Sequence, residues 1–165
     1  MNTHSAYHQL GQFIVSFQYL EETVNELIVL MAKDDSVVRI LINDLEYSKR
    51  LKAANVLFSH FIDLHNNTLP EMKAEFNKLA SELHKLGERR NELVHSRYNP
   101  WLDINGKEGL LRTNSKLSGS KGKRQENEEE LQPEAFNADL LRLDVAAEKL
   151  EEFRLQIIDI LHGGV

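Results

Sequence analysis

The residues best suited to chemistry crowd into one stretch, Gly87-Glu88-Arg89-Arg90-Asn91-Glu92-Leu93-Val94-His95-Ser96-Arg97-Tyr98. A guanidinium such as that of Arg90 grips a phosphate through two parallel N–H groups, and an imidazole such as that of His95 exchanges a proton near neutral pH. That pair suffices for RNA cleavage without a metal. The imidazole takes the proton of a ribose 2′-hydroxyl or returns one to the leaving oxygen, while the guanidinium stabilises charge at phosphorus. Arg90 and His95 are therefore the candidate catalytic residues, and Arg89, Arg97 and Tyr98 the candidate RNA-binding ones. The basic cluster stands out because the chain as a whole is acidic, with 20 Lys and Arg against 26 Asp and Glu and a net charge of −6. That balance does not indicate a general nucleic-acid binder, so any polyanion site has to be a local patch.

Arg90 also stands where an apolar residue is expected. Met72, Phe76, Leu79, Leu83, Leu86, Arg90 and Leu93 alternate steps of four and three, the seam of a helix packed against neighbours. A charge in such a seam is costly unless it meets a partner, a ligand or a wet cleft. One reading is a structural arginine paired with an acid from the first helix, such as Glu21, Glu22 or Glu26; Arg154 invites the same account. The other is a ligand-binding arginine. At ~100° per residue, Arg90 and His95 lie about 140° apart on an ideal helix and do not share one face. Either the helix distorts near Gly87, or a second copy of the helix completes the site across a two-fold axis, which is the preferred expectation.

The elements that must position these groups are read from apolar spacing. A first helix from His8 to about Lys33 carries Leu10, Phe13, Ile14, Phe17, Leu20, Val24, Leu27, Ile28 and Met31. Asp34-Asp35-Ser36 offers an N-cap to a second, with Val37, Ile40, Leu41, Leu45, Leu51, Ala54, Leu57, Phe58, Phe61 and Ile62 on its stripe. Thr68 and Pro70 open the third. The fourth follows Pro133 with Phe136, Leu140, Leu143, Ala147, Leu150, Arg154, Ile157 and Leu161, and Gly163-Gly164 closes it. Four long helices can bury their stripes only against one another. The predicted fold is all-α, an antiparallel four-helix bundle in a single domain spanning 1–165, with a polar hairpin and loop insertion at about 97–132 between the third and fourth helices. In that insertion, Trp101-Leu102-Asp103-Ile104 and Leu110-Leu111-Arg112 flank Asn105-Gly106, which predicts a short β-hairpin. The following SKLSGSKGKRQENEEE reads as a solvated, mobile loop, with a phosphate-contacting flap as the second reading. Tyr98 and Trp101 read as lids packing the hairpin rather than as base-stacking platforms.

Several classes of function lack their residues. There is no cysteine, which removes disulfides, thiolate nucleophiles and Cys-ligated metals. His4 and His8 have the spacing to pair on a metal, but no further ligand pattern, Gly-rich phosphate loop or His-Glu-x-x-His accompanies them, so neither metal nor cofactor is expected. The opening MNTHSAYHQLGQ has no basic region followed by an apolar run, and no helical stretch approaches the ~20 apolar residues of a membrane span. The expectation is a soluble cytoplasmic protein without a membrane partner.

Arg90-Asn91-Glu92-Leu93-Val94-His95, near the end of the third of four predicted helices, resembles the Arg-x₄₋₆-His motif of the HEPN superfamily, in which Asn, Asp or His often follows the arginine. The resemblance covers roughly 5–98 and 133–162, and only the motif is specific. It implies a helical bundle that forms a homodimer with the motif helices facing each other. In active members it further implies metal-independent endoribonuclease activity that leaves a 2′,3′-cyclic phosphate. Arg90 and His95 would then be catalytic, with Asn91 orienting or polarising. The family also implies a toxin–antitoxin or phage-defence setting, with RNA as substrate and an antitoxin protein as candidate partner. Toxin members regulated by a nucleotidyltransferase place a tyrosine two residues after the histidine; here Tyr98 stands three after His95. Because some members are non-catalytic, the alternative implied is a binding or assembly module for a nucleotide or protein partner.

Overall fold

The computed structural model describes residues 2–65 and 70–163. Helix α1 (Asn2–Ala32) ends at Lys33, whose φ of 57° turns the chain out of the helix. The Asp34 carboxylate then accepts from the Val37 N–H at 3.1 Å and caps α2 (Asp35–Asn43), the role its position predicts. Helices α3 (Tyr47–Leu64), α4 (Pro70–Val94) and α5 (Asn137–Leu161) follow. Between α4 and α5, strands β1 (Arg97–Leu102), β2 (Glu108–Ser118) and β3 (Lys123–Leu131) form an antiparallel sheet in the order β1-β2-β3.

The predicted all-α four-helix bundle is therefore corrected to five α-helices plus a three-stranded sheet among the described residues. Two physical causes account for the difference. The expected second helix breaks because Asp44 closes α2, and Glu46, at φ −58° and ψ 149°, restarts the chain in α3. Asn43 and Asp44 are weak helix formers, and tying the two pieces into one helix was a matter of apolar spacing alone. The α2 part of that stripe is not buried: Val37, Ile40 and Leu41 are exposed, and only Ile42 on this helix is buried. The supposed mobile loop is the second half of β2, a single 3-10 turn at Gly119–Lys121 closed by Gly122 at φ 56°, and β3. The hairpin at Asn105-Gly106 forms as expected. Its turn is held by the Asp103 carboxylate, which accepts from the Asn105 and Lys107 N–H groups at 2.8 and 2.7 Å, and Gly106 adopts φ 77°.

The chain divides into two compact units, Phe17–Gly87 with Leu143–Val165, and Met1–Ser16 with Glu88–Arg142. In the first, Phe58 and Phe76 stack with ring centroids 4.2 Å apart, and Phe153 meets both edge-on at 5.3 and 5.1 Å, which joins α3, α4 and α5. Phe17 meets Tyr47 edge-on at 5.0 Å, and the Tyr47 hydroxyl donates to the Leu83 carbonyl at 3.1 Å. Of the acids of α1, Glu26 lies within electrostatic reach of Arg154, one of the two anticipated arginines, and the other two hold arginines of α2 and α3. Glu21 holds Arg50, Glu22 holds Arg39 at 3.2 Å, and Arg154 is bound by Glu151 at 2.7 Å.

The second unit contains the sheet. Side chains alternate across it, so one face carries Tyr98, Leu110, Arg112, Asn127, Glu129 and Leu131, and the other carries Arg97, Thr113, Ser115, Arg124, Glu126 and Glu128. Leu110 and Leu131 face each other fully buried, and the next pair along, Arg112 and Glu129, is ionic. Pro100 lies in β1, an edge strand, where a missing N–H is tolerated. No helix among the described residues is long and apolar enough to cross a membrane.

Candidate functional site

Helix α4 runs through Gly87 without interruption, which gives no support to a distortion there, the less favoured of the two alternatives. The glycine instead makes room for a ring: a Cβ on Gly87 would lie 2.7 Å from Tyr47 Cε1. The helical track continues to His95, whose N–H still reaches the Asn91 carbonyl at 3.0 Å. Arg90 and His95 thus keep the roughly 140° separation of an ideal helix.

Arg89 is held by two carboxylates. Its Nη1 and Nη2 donate to the two Glu129 oxygens at 2.9 Å each, a bidentate pair, and its Nε donates to Asp139 Oδ2 at 2.9 Å. Arg112 adds a bond from Nε to Glu129 at 2.7 Å and one from Nη1 to the Ser96 hydroxyl at 3.1 Å. Ser96 in turn donates to the Glu92 carbonyl. Burial alone lowers the affinity of Arg89 for its proton, but Glu129 and Asp139 outweigh that and raise it above the ordinary guanidinium value. Burial likewise raises the Glu129 carboxyl, and Arg89 and Arg112 together hold it below its ordinary value. Tyr98 completes the lock. Its hydroxyl donates to the Leu93 carbonyl at 2.6 Å, and burial is the main reason that its phenol is pushed up to about 12. These contacts tie the end of α4 to all three strands. Arg89 and Tyr98, two of the expected RNA-binding residues, are engaged in that tie.

The lock fixes what lies on the other face of the sheet. A pocket of about 310 Å³ is lined by His95, Arg97, Thr113, Asn114, Ser115, Arg124, Glu126 and Glu128. His95 and Arg97 are exposed and make no side-chain hydrogen bond or ion pair among the described residues, and the same holds for Glu128. Arg124 pairs with Glu126 at 2.7 Å. The pocket thus offers an imidazole, guanidiniums, carboxylates and the hydroxyls of Thr113 and Ser115, a set able to hold a phosphate and exchange a proton. Of the expected catalytic residues, only His95 is in it. Arg90 and Asn91 are not among the described residues that line it; Arg90 Nη1 donates to Asn91 Oδ1 at 3.1 Å.

Arg124, Glu126, Glu128, Thr113 and Ser115 were not singled out as site residues from the sequence. The available signal was the alternation of Arg124, Glu126 and Glu128 at every second position, which puts them on one face of a strand. Among the described residues, no group of three or more His, Asp or Glu side chains is placed to hold a metal ion. The His4 side chain and the Thr68 cap lie outside the described residues. No family model, curated protein or solved structure matches this chain.

Proposed function

We propose that the protein is a metal-independent endoribonuclease of HEPN type, in which His95 moves the proton and Arg90 stabilises charge at phosphorus. The observation that carries this reading is the placement of His95, exposed at the rim of a polar pocket beside Arg97 and held there by the Arg89–Glu129–Arg112 lock. RNA is bound through Arg97 and Arg124, and Asn91 orients Arg90 through the bond between their side chains. Because helical geometry from Arg90 to His95 turns the two side chains to different faces, the arginine reaching a given His95 pocket comes from a second copy of the chain. A toxin or phage-defence role follows only from the family resemblance.

The test uses purified protein, RNA and excess EDTA, comparing wild type with Arg90→Ala and His95→Ala. The reading expects chelator-resistant cleavage lost in both variants. Mixing the two variants should restore about a quarter of the wild-type rate, since half of randomly paired dimers regain one intact site of two. Equal traces of activity in all three proteins mark a contaminant and favour the second reading, a non-catalytic binding module. Its own supporting observation is the pair of carboxylates, Glu126 and Glu128, in the pocket, which repel a long polyanion.

A further inference from the structure

Arg97, Thr113 and Glu128 form one row across the three strands. With neighbouring strands ~4.8 Å apart, the two charged residues are anchored about 10 Å from each other. Both are without a side-chain partner among the described residues, although opposite charges are available nearby. Glu128 is exposed and solvated, and its position opposite a guanidinium and an imidazole matches a ligand that supplies donors at one end and an anion at the other.

We propose that this pocket binds a guanine nucleotide, with Arg97 and His95 on its phosphate and Glu128 on the Watson–Crick edge of its base. An ionised carboxylate only accepts hydrogen bonds, through two oxygens. Guanine alone among the four RNA bases offers two adjacent donors on that edge, N1–H and the N2 amino group. Adenine and cytosine set a ring acceptor beside their amino group, and uracil flanks its single donor with two carbonyls, so each turns a lone pair toward the carboxylate. Glu126 is already held by Arg124, which leaves Glu128 as the reader. Thr113 and Ser115 supply hydroxyls between the two ends for the ribose. The volume of about 310 Å³ is at the small end for ligand sites and suits one nucleotide. Binding stands independently of catalysis; a preference for cutting at guanine rests on the endoribonuclease reading.

The experiment titrates the full chain with guanosine 3′-monophosphate, adenosine 3′-monophosphate and inorganic phosphate, followed by calorimetry or NMR. The guanine nucleotide should bind at least about tenfold more tightly than the adenine one. Glu128→Gln should erase that preference, because a glutamine amide makes two bonds to either base, with the amino group and N1 of adenine or with N1–H and O6 of guanine. Arg97→Ala should weaken both nucleotides by a similar factor. Equal affinity of the wild-type protein for the two nucleotides, or a preference unchanged by Glu128→Gln, overturns the proposal. Selective binding without RNA cleavage leaves this proposal standing and removes the nuclease, whereas base-indifferent cleavage does the reverse.

Discussion

Replacing Arg89 with methionine keeps the aliphatic stem and removes the charge on which Glu129 and Asp139 converge. Three hydrogen bonds of 2.9 Å disappear, and both carboxylates lose their main counter-charge. The Arg89 and Asp139 side chains are 16% and 12% exposed and Glu129 is 33% exposed, so the site falls between a surface pair and a buried one. Surface pairs contribute about 0–1 kcal/mol, and breaking a fully buried pair costs roughly 3–5 kcal/mol. The expected loss is about 2–3 kcal/mol, which for a chain of this size lowers Tm by roughly 5–10 °C. Urea unfolding followed by circular dichroism measures it. A double-mutant cycle with Glu129→Leu, which also removes the carboxylate from Arg112, should show a coupling of at least about 1 kcal/mol between Arg89 and Glu129. An Arg89→Met protein within about 0.5 kcal/mol of wild type would refute the claim that this cluster holds the sheet to α4.

Acid should weaken the same cluster. Glu129 is held below its ordinary value, so its stabilisation is complete above the unfolded carboxyl value of 4.5 and fades as pH falls through the lower folded one; Glu129→Gln should flatten Tm against pH over that window. Gly87→Ala places a methyl 2.7 Å from a Tyr47 ring anchored to Leu83, and should destabilise by about 1–3 kcal/mol despite the better helix propensity of alanine, as read by urea unfolding. Tyr98→Phe leaves the Leu93 carbonyl without its donor and should cost about 1 kcal/mol by the same measurement.

What was legible in the sequence were the long helical stripes, the Asp34 cap and the Asn105-Gly106 hairpin, each signalled by a local rule. Phe58 and Phe76 were called from spacing and are buried together, whereas Phe153, which packs on both, was passed over in favour of its neighbour Arg154. β3 was missed because strands are recognised by alternating apolar residues, and its inward face has a single one, Leu131, following the polar Asn127 and Glu129. Glu129 is satisfied by Arg112 of β2 and Arg89 of α4, contacts that no local pattern reveals. The same cause hid the structural role of Arg89. Helical arithmetic drew attention to Arg90 in the seam, but the carboxylates that hold Arg89 belong to β3 and α5 and leave no mark on the α4 pattern. The polar pocket was half visible, through His95 and Arg97. Its other wall became apparent only once the charge run from Lys123 to Glu130 was seen to be a strand.

The most direct measurement of the catalytic claim is the chemistry of the RNA ends made by the wild-type protein in EDTA. Attack by the ribose 2′-hydroxyl predicts 2′,3′-cyclic phosphate termini, absent when His95 is alanine and absent when the substrate is 2′-deoxy at the cut. Termini bearing 3′-hydroxyl groups, or cyclic phosphates produced equally by the His95→Ala protein, would contradict it.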